Sequence, residues 1–370
     1  VGYWGDGYDY ANRIDRFLMA VGHFNSQNSA PSIVMCRGYY KNFQIVALDY
    51  ANGKLTKRWH FDTYPDYQDY VEQGNHNLAV GDVDGDGKDE IIYGACAIDH
   101  NGKGLYSTGL GHGDALHLGK FDPTREGLQV VTCHESPSKY GNNGLEMHDA
   151  ATGEIIFGVS GDGDDIGRCM VADVDPETPG CEVWASGTTL DGKLYSCKGE
   201  LLSKKAPVYK FAGSWTFNMG IWWNGTLNRQ MLDRGYVTEY IADNGGSGNR
   251  IFFKEDYGVT TAQGTKNNPV VDGDFLGDWR EEMIYVTPDY TELRIFTTNI
   301  ETKYRFRPLM YDHVYRLSAT HENVGYNQPT HPGFYIGSDL LKDENMEIGP
   351  GGIGDWKPEE GEHNGSAYED

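Results

Sequence analysis

Several side chains in this sequence stand where turns and strands alone would not require them. His76 lies in QGNHNLAVGD, His112, Asp114 and His117 in GLGHGDALHLGKFD, His134 and Glu135 at the end of VTCHE, and Arg168 in DDIGRCMVAD. Imidazole and carboxylate together suit a divalent metal, and a guanidinium can hold a carboxylate through two parallel hydrogen bonds. Further on, TTAQGTKNNPVV carries Lys266, and THENVGYNQP carries Glu322, Asn323 and Tyr326. One histidine of this kind is usually a satisfied core residue, and an isolated lysine such as Lys266 a solvated turn residue. Placement argues otherwise for the group: His76, then His112 with Asp114, then Arg168 each lead into a Gly- and Asp-rich loop, one after another.

Those loops have chemistry of their own. In GDVDGDGKDEIIYG, Asp82, Asp84 and Asp86 alternate, Gly87 permits a sharp turn and Glu90 follows. Oxygens at every second residue can wrap one hard cation, so this loop is expected to bind Ca2+, with a strand after it where an EF-hand would have a helix. GDFLGDWREEMIYV repeats the arrangement with Asp274, Asp278 and Glu282, and ADVDPETPGCEVWASG with Asp173, Asp175 and Glu182. Asn25 and Asp122 belong to looser copies that hydrogen bonds alone are expected to hold. The expected role of each ion is to fix a turn, not to do chemistry.

What positions these residues is a repeat. Loop copies start near Gly22, Gly81, Gly119, Ala172, Trp223 and Gly273, each followed by an apolar strand. From Gly81 onward the interval is roughly 40 to 55 residues, that of a four-stranded propeller blade. Between the loops, LEMHDAATGEIIFG and QIVALDYANGKLTKRWHF read as strand, polar turn, strand. The expected fold is therefore an all-β, calcium-rich β-propeller over residues 1–341, with about six blade starts visible. Residues leading into successive innermost strands converge at one mouth of such a ring, which would bring the imidazoles, carboxylates and Arg168 together. Residues 342–370, acidic and containing Gly and Pro, read as a poorly ordered tail.

Composition agrees with this and excludes several partners. With 49 Gly, 25 Tyr and 38% hydrophobic residues in 370, the chain suits many short strands and tight turns. The 31 basic and 55 acidic residues give a net charge of −24, which argues against nucleic acid and against an anionic membrane surface. No apolar run reaches the length of a membrane span. The six cysteines have no metal-ligand spacing and read as buried thiols at equivalent strand positions, with a Cys169–Cys181 disulfide left open. The chain opens on Val1-Gly2-Tyr3-Trp4, without Met or a signal peptide, and so reads as the interior of a longer sequence.

The segments APSIVMCRGYY, GNHNLAVGDVDGDGKDEIIYGA, GLYSTGLGHGDALHLGKFDP, DIGRCMVADVDPETPGCEVWAS, GTKNNPVVDGDFLGDWREE and HENVGYNQPTHPGFYIG closely resemble the family 11 polysaccharide lyases, and the resemblance runs from about Trp4 to Leu341. It implies an eight-bladed propeller with several bound calcium ions and a groove at one mouth, cleaving the rhamnogalacturonan I backbone of pectin. The implied reaction is β-elimination, in which a base removes the C5 proton of galacturonate and the 4-O bond to rhamnose breaks. Carried over by motif, His76, His112, Asp114 and Glu135 would stand on the metal side together with Asn323. Arg168 would neutralise charge, Lys266 would be the base, and Tyr326 with Gly264 and Thr265 would contact sugar. The substrate further implies a secreted, periplasmic or cell-surface location.

Two departures matter. Gln263 stands where the family usually has Asn, and the blades that precede the point matching Val1 in the family are absent. Either a second polypeptide completes the ring, or the chain is an incomplete propeller. The alternative to a lyase is a non-catalytic, calcium-dependent propeller that binds pectin or a protein. A hydrolase is weaker, because no carboxylate pair stands apart from the loops.

Overall fold

A computed structural model describes residues 16–341, except 211, 263, 265, 327 and 328. The tail expected at 342–370 and the sugar contact expected at Thr265 lie outside the described residues.

The chain forms a succession of antiparallel meanders, each a blade. The first comprises β1 (Phe17–Gly22), β2 (Ser32–Arg37), β3 (Gln44–Ala51) and β4 (Lys54–Asp62); the second β5 (Ala79–Gly81), β6 (Glu90–Ile92), β7 (Cys96–Ile98) and β8 (Gly104–Ser107). The third has β9 (Leu116–Gly119), β10 (Gln129–Cys133), β11 (Leu145–Asp149) and β12 (Ile155–Val159), with α1 (Pro137–Tyr140) between its middle strands. The fourth has β13 (Cys169–Ala172), β14 (Glu182–Ala185), β15 (Lys193–Ser196) and β16 (Leu201–Lys205). A ribbon of β17 (Val208–Tyr209) and β18 (Ser214–Trp215), which the sequence reading did not foresee, precedes the fifth blade. That blade is β19 (Met219–Ile221), β20 (Gln230–Asp233), β21 (Tyr236–Thr238) and β22 (Arg250–Phe253). The sixth is three-stranded: β23 (Val271–Gly273), β24 (Glu282–Val286) and β25 (Leu293–Phe296). All six expected loop copies follow the first strand of a blade: β1, β5, β9, β13 and β23 end at Gly22, Gly81, Gly119, Ala172 and Gly273, and β19 ends just before Trp223.

One side chain closes the turn after that first strand in five of the six blades. It is the opening residue of the second strand, Glu90, Gln129, Glu182, Gln230 or Glu282. Gln129 Oε1 accepts the amides of Phe121 and Asp122 at 2.9 and 3.0 Å, and Gln230 Oε1 those of Trp223 and Asn224 at 2.7 and 2.8 Å. Glu182 Oε2 accepts from Val174 and Asp175 at 2.8 and 2.9 Å, and Glu282 Oε2 from Phe275 and Leu276, both at 2.9 Å. Glu90 Oε2 accepts from Val83 at 3.0 Å. These amides point away from any strand, and burying them unpaired would cost most of a hydrogen bond each. In the first blade Ser32 holds the corresponding place and donates instead to Asp49, at 2.6 Å.

The core lies between blades. Val34, Ile45 and Phe61 of the first pack with Val80, Ile91 and Ile98 of the second, and Ile92 and Ala97 with Leu118 and Val130. Val131 and Met147 meet Val171 and Val183, Met170 and Trp184 meet Met231, and Ile221 and Val237 meet Met283 and Tyr285. The outward faces of the two end blades differ. Phe17, Met19 and Met35 are 61%, 52% and 45% exposed on β1 and β2, and Leu293 and Ile295 are 65% and 62% exposed on β25.

The segment after the sixth blade returns to the ring. Its helix, α2 (His313–His321), packs against β1, β5 and β23. Asp312 caps it, accepting the amide of Tyr315 at 2.8 Å, and Val314, Tyr315, Leu317 and His321 are buried. The sequence shows no stripe long enough for an extended helix, and nine residues give too few periods for a 3.6-residue pattern to stand out. No helix among the described residues is long and apolar enough to cross a membrane. All six cysteines are buried thiols, Cys169 and Cys181 included, so the open disulfide is not formed.

Gln129→Met keeps the volume of the side chain but removes the acceptor of two buried amides. The variant is expected to lose roughly 2–4 kcal/mol in denaturant unfolding. Parent-like unfolding would show that the turn does not depend on this residue.

Candidate active site

The mouth of the ring is organised by the residues just before β5. Gly74 accepts the Nδ1–H of His112 at 2.6 Å, Gln73 Oε1 accepts the amide of Gly111 at 3.0 Å, and Asn75 bridges to Gly113. The amide of Glu135 in turn donates to the carbonyl of His112 at 3.0 Å. This close approach requires Gly113, where a Cβ would lie 1.8 Å from the carbonyl oxygen of Cys133.

His76, His112, Asp114 and Glu135 come together so that one donor atom of each lies within 4.8 Å of the others. Because His112 gives its Nδ1 proton to Gly74, its Nε2 presents a lone pair to the cluster, 3.6 Å from Glu135 Oε1. That Nε2 is buried without a hydrogen bond, and so is Asp114 Oδ1, which lies 3.0 Å from His76 Nε2 without hydrogen-bond geometry. Burial pushes His76 down to about 3 and His112 down to about 4. Both are thus neutral imidazoles, the form that ligates metals. An unpartnered imidazole nitrogen and an unpartnered carboxylate oxygen in one cluster, with a backbone carbonyl orienting the imidazole from behind, fit a divalent cation.

Beside this cluster stand the basic residues. Arg168 donates to Asp114 Oδ2 at 3.3 Å and to the carbonyl of Gly167 at 2.9 Å. The ring of Tyr326 stacks on His76 with centroids 4.3 Å apart and an interplanar angle of 11°. Lys266 Nζ lies 4.0 Å from the centre of the same ring, and the Arg168 guanidinium 5.9 Å from it. Lys266 is only 3% exposed, so it is not the solvated turn lysine that its isolated sequence context would suggest. Its carbonyl accepts from Asn218, which also bonds Asp233. Gly264 is an exposed residue of the same turn, and Asn323 donates to the carbonyl of Val270 at 3.0 Å.

Sequence reasoning missed Tyr39 and Tyr40, which close the other side. Tyr40 Oη lies 3.0 Å from His76 Nε2, and the Tyr39 ring stacks on His112 at 5.5 Å and 13°. Their only signal was the adjacent aromatic pair at the end of a strand. His117 does not join the site. Its Nε2 bonds the carbonyl of Cys169 at 3.0 Å and its Nδ1 faces His331, deep in the core.

The loops behave unequally. Asp82, Asp84 and Asp86 gather, and Asp86 and Glu90 form a second group with His100, which sequence reading had not included. Glu90 Oε1 is buried without a hydrogen bond, and burial pushes Glu90 up to about 8. Among the described residues the sets at Asp173 and Asp274 form no such group. Lys204 puts its ammonium 2.6 Å from Asp175 and 2.9 Å from Glu177, while Asn228 and the amide of Ser338 bond Asp173. In the last loop Asp274 accepts the amides of Gly277 and Leu309, and Asp278 pairs with Arg280. Protein groups thus occupy much of the acceptor capacity that a cation would use.

Fold and site together define a β-propeller whose mouth holds a metal-type donor set beside a buried lysine and an arginine. The profile described as rhamnogalacturonan lyase family 11, C-terminal domain, matches residues 1–346. The chain belongs to that family. It is 46% identical over 340 residues to rhamnogalacturonan endolyase YesW of Bacillus subtilis (strain 168), covering 92% of this chain and 51% of that protein. It is equally 46% identical, over 352 residues, to rhamnogalacturonan exolyase YesX of the same organism, covering 92% and 55%. A solved rhamnogalacturonan lyase of Bacillus licheniformis superposes with a TM-score of 0.80 at 45% identity, over 96% of this chain and 55% of that one. The chain therefore spans about half the length of the relatives it matches.

His112→Ala combined with Asp114→Ala removes two of the four donors at the mouth. After chelation, calorimetric titration with Ca2+ is expected to find one fewer bound ion per chain than in the parent. Equal stoichiometry would show that the cluster holds no calcium.

Proposed function

We propose that this chain carries the active site of a rhamnogalacturonan lyase, which cleaves the rhamnogalacturonan I backbone of pectin by β-elimination at galacturonate. The observation that carries the reading is the buried Lys266 amine, 4.0 Å from the centre of the Tyr326 ring, beside Arg168 and the four-donor cluster. A C5 proton is acidic enough to abstract only when the neighbouring carboxylate is neutralised. A Ca2+ held by His76, His112, Asp114 and Glu135 would supply positive charge to that carboxylate. Arg168 adds its guanidinium on the side of Asp114. Lys266, as a neutral amine, takes the C5 proton; the C–H electrons form the C4–C5 double bond, and O4 leaves with the electron pair of its bond to C4. Tyr326, Gly264 and Thr265 are proposed to contact sugar.

We further infer structural Ca2+ in the loop of Asp82, Asp84, Asp86 and Glu90, where a buried carboxylate oxygen lacks a hydrogen bond. The loops at Asp173, Asp175 and Glu182 and at Asp274, Asp278 and Glu282 are weaker candidates, given the protein groups already bonded there. The apolar faces carrying Phe17, Met19 and Met35 and carrying Leu293 and Ile295 resemble the blade faces that are covered elsewhere in the ring. Further polypeptide, in the same chain or a second one, is proposed to cover them. With a pectin polymer as substrate, the protein is proposed to act outside the cytoplasm, secreted, periplasmic or at the cell surface.

The test is turnover of rhamnogalacturonan I, read as the ultraviolet absorbance of the unsaturated uronide, for the parent, Lys266→Ala and Lys266→Arg. Removal of a general base is expected to lower turnover roughly 10²- to 10⁴-fold, and Arg should not rescue because guanidinium accepts no proton. Parent-like activity of Lys266→Arg would make Lys266 a charge-neutralising contact. Binding by the parent without any new absorbance would favour a non-catalytic pectin-binding propeller.

A further inference from the structure

Glu72 stands at the rim of the mouth with its backbone in the left-handed region, at φ 66. A residue with a side chain holds that conformation only where surrounding contacts enforce it, and such positions collect at functional sites. Its carboxylate pairs with two ammonium groups at once, Lys41 on one oxygen and Lys139 on the other. The amide of Glu72 also donates to the carbonyl of Lys41 at 3.0 Å.

Both lysines continue directly from residues of the site. Lys41 follows Tyr40, and Lys139 lies in α1, which follows Glu135. The stem of Lys139 runs across Gly111, where a Cβ would come within 2.9 Å of its Cδ, next to His112. Glu72 is two residues before Gly74, the residue whose carbonyl orients His112. The trio therefore bridges the loops of the first and third blades directly beside the donor cluster. Two ammonium groups and one carboxylate sum to a formal charge of +1 (2 − 1), in a chain whose net charge is −24. The side chains of Lys41, Lys139 and Glu72 are 42%, 32% and 24% exposed, so they are ordered yet reachable from solvent.

We propose that Lys41 and Lys139, gathered by Glu72, form a carboxylate-binding subsite for the galacturonate next along the polymer from the one cleaved. The proposal rests on the lyase reading above. In a backbone of alternating galacturonate and rhamnose, a carboxylate recurs on every second sugar, so a chain with one uronate at the donor cluster carries another for which a basic group beside the cluster is a partner. Lysine suits that place. Its charge sits on a flexible stem and follows a carboxylate without demanding bidentate geometry. Glu72 keeps the two stems extended toward the rim between encounters and shares them with the incoming carboxylate.

The experiment is the Lys41→Gln, Lys139→Gln double variant, examined in two ways. In turnover, KM for rhamnogalacturonan I should rise roughly tenfold with kcat within about twofold, and the difference should shrink at high salt. In calorimetry, the parent should prefer an acidic rhamnogalacturonan oligosaccharide over its carboxyl-reduced counterpart, and in the double variant that preference should shrink roughly tenfold, the remainder coming from the donor cluster and Arg168. If the trio is only a clasp for the loops, the variant will melt lower and lose kcat while keeping the parent's full preference for the acidic oligosaccharide, and the subsite is overturned. A parent that binds the acidic oligosaccharide but releases no unsaturated product would sink the lyase reading instead, and the calorimetric comparison would still decide the subsite.

Discussion

After the innermost strand of each blade the chain must reverse, and the amides of that reversal face no strand. A single acceptor on the next strand satisfies them in five blades, from Glu90 to Glu282, and the ring is built on that bond. Only Glu and Gln combine an acceptor with a stem long enough to reach back across the turn. They differ in the second arm. Gln129 and Gln230 spend it as a donor, to the carbonyls of Gly127 at 3.0 Å and Asn228 at 2.7 Å. Glu90 and Glu182 cannot donate, and each keeps one buried oxygen without a hydrogen bond. Glu282 spends its second oxygen on the hydroxyl of Thr297, at 3.1 Å, so a carboxylate at this place leaves room for a positive charge only where no protein donor reaches it.

Fixing one end of the innermost strands fixes the other. His76, His112 with Asp114, Arg168 and Lys266 precede β5, β9, β13 and β23 respectively, at the end opposite the bonded turns. The site is therefore assembled from four blades, and each contributes little alone. Its electrostatics run against the chain as a whole. In a protein of net charge −24, Arg168, Lys41 and Lys139 offset Asp114, Glu135 and Glu72 at the mouth, and Lys266 adds a further basic group beside neutral imidazoles. An anionic polymer can approach such a mouth because the local charge, not the total, sets the potential inside a cleft.

The repeat was legible because turn chemistry is local. Gly, Asp and an apolar run recur in the sequence whatever the rest of the chain does, and all six loop starts coincide with blades. The gathering of His76, His112, Asp114, Arg168, Lys266 and Tyr326 could also be anticipated, since equivalent places in a ring converge. What remained hidden depended on partners distant in sequence. Lys204 beside Asp175 lies on the fourth strand of its blade, and nothing in ADVDPETPG announces it. Tyr39 and Tyr40 look like ordinary strand-end aromatics until the ring sets them against His112 and His76. Glu72 and Lys139 are 67 residues apart and share no pattern.

Tyr326 ties the site to the segment that returns to the ring. It belongs to no blade; it follows α2, which packs against β1, β5 and β23, and its amide donates to the carbonyl of His76 at 3.4 Å. Two residues of the returning segment tie it to the ring near this point: Glu322 accepts the amide of Asp272 on β23 at 2.9 and 3.0 Å, and His313 Nε2 bonds Asp89, just before β6, at 2.7 Å. Farther along, His331 lies between Arg229 and His117, which in turn reaches the carbonyl of Cys169. Arg229 can only donate, so His331 must accept at Nδ1 and donate at Nε2, and His117 must accept at Nδ1 and donate at Nε2. That fixed sequence of donors joins the fifth blade to the third and fourth through the returning segment. The face that Tyr326 offers between Lys266 and His76 therefore exists only when the blades and the segment are docked together, so that forming the site and closing the axis of the ring are the same structural event.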